Sequence, residues 1–130
     1  MKLIQLILAA CFMVASGCST AEQRVLETDL PNIPSMEERS VLDLEQSGGM
    51  ITEGKLVYKG RVDDAIRRMR IMRDRFSDNG WRIQSVNGGK IKAVGLFQKG
   101  RRECEVVILK NQLDPQMSTG VIRVSMPEKG

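Results

Sequence analysis

The chain has 130 residues, with 20 Lys and Arg against 16 Asp and Glu and no His, which bounds it to one domain at most and a formal charge of +4. Without histidine the usual general base, nucleophile activator and commonest metal ligand are all missing, so Ser-His-Asp and Cys-His catalysis and nearly all zinc chemistry are excluded. No nucleophile elbow and no convergent acid pair replaces them, and the expectation is a noncatalytic protein with no cofactor and no metal.

Residues 1–18, MKLIQLILAACFMVASGC, join a cationic start to an apolar stretch and then to small residues, the three-part pattern of a secretory signal. The apolar stretch Leu3–Val14 has 12 residues and contains Gln5, too short for the ~20 a membrane-crossing helix needs. Its end, Ala15-Ser16-Gly17-Cys18, resembles the lipobox of bacterial lipoproteins, with Ala15 where that family usually has Leu. The resemblance implies cleavage between Gly17 and Cys18, removal of residues 1–17 and acylation of Cys18. Ser19 after the cysteine, in place of the Asp that favours inner-membrane retention in enteric bacteria, leans the implied destination toward the outer membrane. The alternative is ordinary secretion with cleavage after Ala21, behind Ser19-Thr20-Ala21, which yields a soluble product without Cys18. Two or three acyl chains moor a protein firmly, since each buried methylene contributes ~0.8 kcal/mol. Loss of Lys2 with the signal leaves 19 basic against 16 acidic residues, a mild +3. Of Cys11, Cys18 and Cys104, the first leaves with the signal and the second is acylated. Cys104 then has no internal disulfide partner; it is read as a buried inert thiol, with an intermolecular bridge or a reactive thiol as the alternative.

Residues 18–38 are read as the acylated N-terminus and a flexible tether, because Pro31 and Pro34 discourage helix and extend the backbone. The globular domain is expected over 39–127, with 128–130 as a tail. Ser40–Glu45 reads as a short strand, Gln46–Gly49 as a breaker and Gly54–Gly60 as a second strand. Over Val62–Asn79, the residues Val62, Ala65, Ile66, Met69, Met72 and Phe76 recur at helical steps. Asp63 and Asp64 suit the first turn, and Asn79-Gly80 the stop. Trp81–Val86 reads as a strand with Trp81 and Ile83 on one side. Two reversals follow, at Asn87-Gly88-Gly89 and at Gln98–Arg101, with a strand after each, the second carrying Cys104. A polar loop over Asn111–Thr119 leads to a last strand, Val121–Met126. The predicted fold is α+β, one amphipathic helix packed on an antiparallel sheet of four or five strands.

Tyr58-Lys59-Gly60, the helix, Gly80-Trp81, Phe97-Gln98-Lys99-Gly100 and Cys104 together resemble a group of short bacterial envelope lipoproteins of unknown function, over about residues 39–126. The resemblance implies the same α+β fold and an envelope location, and no activity that can be carried to a residue.

The helix carries Arg67, Arg68, Arg70, Arg73 and Arg75 mostly off its apolar stripe. They form either a solvated face or an anion-binding one, with Arg67, Arg70 and Arg75 as the possible anion-binding residues. Ile71 falls near the middle of this polar side, under the tether, a partner or plain solvent. Gly88-Gly89-Lys90 lacks the spacing of a phosphate loop and is read as a turn. The acid pairs Glu37-Glu38 and Asp63-Asp64 diverge in direction. Lys99, Arg101 and Arg102 are assigned to a charged hairpin tip, with an anion contact as the alternative. Trp81 is read as a core plug, although it and Tyr58 have the chemistry to stack a sugar or headgroup.

The functional expectation is a noncatalytic, lipid-anchored envelope protein, held in the outer membrane through Cys18 and facing the periplasm. Its domain would meet an unidentified envelope protein or anionic lipid; nucleic acid is not expected for a secreted chain. The alternative class is an anion or lipid-headgroup binding module using the arginine face.

Overall fold

The structure, a computed structural model, describes residues 28–127. One helix, α1 (Ala65–Asp78), packs on an antiparallel sheet of β1 (Met36–Ser47), β2 (Met50–Gly60), β3 (Arg82–Gly88), β4 (Lys92–Lys99), β5 (Arg102–Leu109) and β6 (Ser118–Ser125). The strands lie in the order β1-β2-β6-β5-β4-β3. The α+β class is as expected; the sheet has six strands instead of four or five. Cys18, the Gly17–Cys18 cleavage site, the alternative cleavage after Ala21 and the tail at 128–130 lie outside the described residues.

β5 and β6 alternate buried positions with half-buried or exposed ones residue by residue, so a single face of the sheet makes the core. Ala65, Met69, Met72 and Phe76 on α1 and Ala93, Phe97, Val106 and Ile108 beneath them are buried. Phe76 stacks on Phe97 at 4.1 Å between ring centroids and meets Trp81 edge-on at 5.5 Å. The helix starts later than the apolar period suggests. Asp64 is the N-cap, its carboxylate accepting from the Arg67 amide at 3.2 Å, and Asp63 stands outside the first turn. The β3–β4 turn closes over the same helix end: the Ala65 and Ile66 amides donate to the carbonyls of Lys90 and Gly89 at 2.8 and 2.9 Å. Gly88-Gly89-Lys90 is thus a turn, and its carbonyls occupy amides an anion would otherwise take.

The other half of the inner face is covered by the segment expected to be a tether. Thr28, Leu30, Pro31 and Ile33 are buried, and Met36–Glu38 already belong to β1, so the fold extends at least ten residues N-terminal to the expected boundary at 39. The prolines do keep this strap extended, but its aliphatics face the sheet. Gly120 of β6 makes room for it: a Cβ there would lie 2.5 Å from Ile33 Cδ1.

Two further strands depart from expectation. Trp81 precedes β3 and is buried, whereas Ile83, opposite Phe97 on the edge strand β3, is exposed; the register slips only beyond it, between Ile83 and Ser85. β1 and β2 run well beyond Ser40–Glu45 and Gly54–Gly60, with register shifts and left-handed backbone at Asp43.

Candidate functional site

Three features carry the polar chemistry of the described residues: a latch on the strap, the outer face of α1 and the uncovered face of the sheet.

The latch centres on Arg102, which the alternation of β5 points inward beside Cys104, Val106 and Ile108. Instead of lying at a hairpin tip, its guanidinium is buried. It donates to both carboxylate oxygens of Asp29, at 3.0 and 2.5 Å, and to the Ile51 carbonyl at 3.1 Å, while lying 4.7 Å over the Trp81 ring. Lys99 adds an ion pair to Asp29 at 2.8 Å and donates to the Asn79 carbonyl at 2.7 Å, tying the strap to the end of α1. Burial pushes the Asp29 carboxyl up, but the hydrogen bonds and charges of Arg102 and Lys99 outweigh it and hold it below its ordinary value. Trp81 donates its indole N–H to the Asp29 carbonyl at 2.8 Å. Further along, Tyr58 donates to Asn32 Oδ1 at 2.7 Å and Arg68 to the Pro34 carbonyl at 2.8 Å. Tyr58 and Trp81 are both buried, so neither offers a face for a sugar. The alternation of β5 is the sequence signal for Arg102, and Asp29, the one acid between Thr28 and Ser35, is the signal for its partner.

On α1 the five arginines divide. Arg68 is spent on the strap, and Arg73 pairs with Asp74 at 3.4 Å. Arg67 and Arg70 are exposed and Arg75 half-buried, and these three make no ion pair among the described residues. Ile71 stands among them, 41% exposed, and the strap does not cover it.

The outer face of the sheet bears no helix among the described residues. A row of valines crosses it in register, Val57 beside Val121, Val121 beside Val107 and Val107 beside Val94. A charged row adjoins it, in which Lys55, Arg123 and Glu105 are neighbours and Arg123 reaches Glu105 at 3.9 Å.

Cys104 is buried on the inner face, where burial first and the nearby carboxylates second push its thiol well above the ordinary range, against the field of Arg102. Glu37 and Glu38 lie on β1, where successive side chains take opposite faces, so they do not converge. Arg101 is exposed in the β4–β5 turn. No group of three His, Cys, Asp or Glu side chains gathers at metal-binding distance among the described residues. No helix of the described residues is long and apolar enough to cross a membrane.

No family model, curated protein or solved structure matches the chain.

Proposed function

We propose that this chain is a noncatalytic lipoprotein of the bacterial envelope, acylated at Cys18 in the outer membrane, that presents its α+β domain to a periplasmic partner. The observation that supports it is the division of the sheet. Strap and helix occupy one face, so the chain leading back to Cys18 joins the domain on that side, and the valine row on the other face stays open to a partner. The latch gives the anchor a rigid attachment. Residues 19–27 reach about 30 Å at full extension, which confines the domain near the bilayer and raises its effective concentration toward other anchored components. The test is covalent: intact mass of membrane-extracted protein should show acyl mass on a chain beginning at Cys18, and Cys18→Ser should release it to alkaline carbonate. A deacylated chain beginning at Glu22 would establish soluble secretion instead. Crosslinkers at Val107 should capture the partner, and those at Ser77 on the helix should not.

That Arg67, Arg70 and Arg75 make no ion pair among the described residues favours a second reading, an anion-binding helix face. Charge reversal at these three positions should abolish salt-sensitive binding to phosphate-bearing surfaces; unchanged binding discards it.

A further inference from the structure

The pole at the end of β5 opposite the Asp29–Arg102 latch carries aliphatic and cationic side chains in water, with Asp114 beside them. Two loops meet there, the β3–β4 turn with Lys90, Ile91 and Lys92 and the loop leaving β5 with Leu109, Lys110 and Leu113. The Lys110 amide donates to the Ile91 carbonyl at 2.8 Å, and Lys92 pairs with Leu109 across the strands. Leu113 is 98% exposed, Leu109 46% and Ile91 38%.

The loop that presents Leu113 is braced. Asn111 Oδ1 accepts from the amides of Leu113 and Asp114 at 3.0 and 3.1 Å, and Asp114 Oδ1 accepts from the Gln116 amide at 3.2 Å. Ser118 Oγ accepts from the Asn111 amide at 2.9 Å and donates to the Pro115 carbonyl at 2.7 Å. One exposed aliphatic on a surface is ordinary; three on adjoining segments at one end of the sheet, one of them in a cross-tied loop, form a patch. Lys90, Lys92 and Lys110 make no ion pair among the described residues. Protruding aliphatics interleaved with lysines match a bilayer interface, where apolar tips reach the acyl boundary and ammonium groups stay among phosphates.

We propose that this pole seats on an anionic leaflet, with Leu113, Ile91 and Leu109 entering the headgroup–acyl boundary and Lys90, Lys92 and Lys110 against its phosphates. A bilayer suits the patch better than a protein pocket, because flexible lysines around aliphatic tips impose no fixed hydrogen-bonding geometry. Chain length agrees. Residues 19–27 reach about 30 Å, and β5 carries the sheet about 23 Å from Arg102 at the latch to Leu109 at the pole, so lipid at Cys18 and the patch can share one leaflet. Only the source of the bilayer rests on the lipoprotein reading.

The test needs no acyl chain. The chain from Ser19 onward, which keeps every described core residue, is floated with vesicles of phosphatidylcholine alone or with one-third phosphatidylglycerol. It should float with the anionic vesicles only and be released by ~0.5 M salt. Each lysine near an anionic surface contributes about fivefold in affinity, so Lys90→Glu with Lys110→Glu should weaken flotation at least tenfold. Leu113→Asp should weaken it about tenfold with an unchanged melting temperature, because that side chain touches nothing in the fold. Arg67→Glu with Arg70→Glu should leave it intact. Absence of flotation overturns the proposal, as does a Leu113→Asp chain that floats normally, or loss only in the arginine variant. A blank flotation with a protein adduct to a crosslinker at position 113 in intact cells also overturns it, and assigns the leucine to a protein pocket. Failure of acylation shows in the intact mass alone and leaves flotation unchanged.

Discussion

Arg102 holds its place because four groups use one guanidinium: both oxygens of Asp29, the Ile51 carbonyl and the Trp81 ring. Removing one partner of a buried pair strands the other, at a cost of about 3 kcal/mol, so Arg102→Ala should lower the melting temperature by 10 °C or more. Arg102→Lys should not restore it, since an ammonium cannot span two carboxylate oxygens and a carbonyl at once. Asp29 adds a pH dependence of definite sign. Its folded-state carboxyl lies below its ordinary value, so the stability it contributes is complete above the unfolded value of about 4 and drains away as pH falls through the folded one. Urea midpoints of the wild type should therefore drop below about pH 4, and Asp29→Asn should be less stable at neutral pH with a flatter acid limb. Cys104, buried with its thiol pushed up, should resist thiol reagents at pH 8 until the protein unfolds, giving no disulfide-linked dimer on nonreducing gels. Residues of this kind were legible unequally. Cys104 and Trp81 follow from hydrophobicity and position, whereas the charge of Arg102 and its place beside Gly100-Arg101 point to a hairpin tip, and only the two-residue period puts it on the face of Cys104, Val106 and Ile108.

Among the elements, α1 was the easiest to read, since six apolar residues at helical steps outweigh its arginines; only its start shifted, to the carboxylate cap of Asp64. β1 was hard for a physical reason. It is an edge strand exposed on nearly every residue, and bulges break whatever alternation it has, so Met36–Ser47 carries almost no periodic signal. The strap was hard for the opposite reason: its prolines mark extended chain correctly, yet extended chain serves a tether and a core-covering segment equally well, and only Leu30 and Ile33 distinguish them. The fit of strap to sheet turns on Gly120. A methyl group there meets Ile33 Cδ1 at 2.5 Å and Met36 Sδ at 3.3 Å, so Gly120→Ala should cost about 1–3 kcal/mol by overpacking. Ile33→Ala alone should cost about 2–5 kcal/mol by leaving a cavity. In the double variant the new methyl group enters the space Ile33 vacates, and urea denaturation should show a cost clearly below the sum. An additive result would mean that strap and β6 are not in contact.

At the scale of the molecule, a domain of about this size buries only roughly 60–65% of its chain surface, so it cannot spare half of one sheet face. The helix covers β3, β4 and β5, and without the strap the inner faces of β2 and β6 lose the cover that Leu30 and Ile33 supply. The lipoprotein reading places the acylated residue only ten positions before Thr28, so the covalent route to the bilayer runs through a segment the core requires. Anchoring and folding are then coupled: a pull on the lipid is felt first by the Asp29–Arg102 pair and the Trp81 and Tyr58 hydrogen bonds, all of which lie inside the domain. Two truncations separate tether from strap. A chain beginning at Thr28 keeps every described contact and should melt with the chain beginning at Ser19, within a degree or two. A chain beginning at Met36 loses Leu30, Ile33 and Asp29 together and leaves Arg102 buried without its carboxylate. It should unfold at far lower urea or expose enough apolar surface to bind a hydrophobic dye. Equal stability of the two truncations would make the strap an ornament on the sheet, and the anchor would then hang from a loose end instead of from the core.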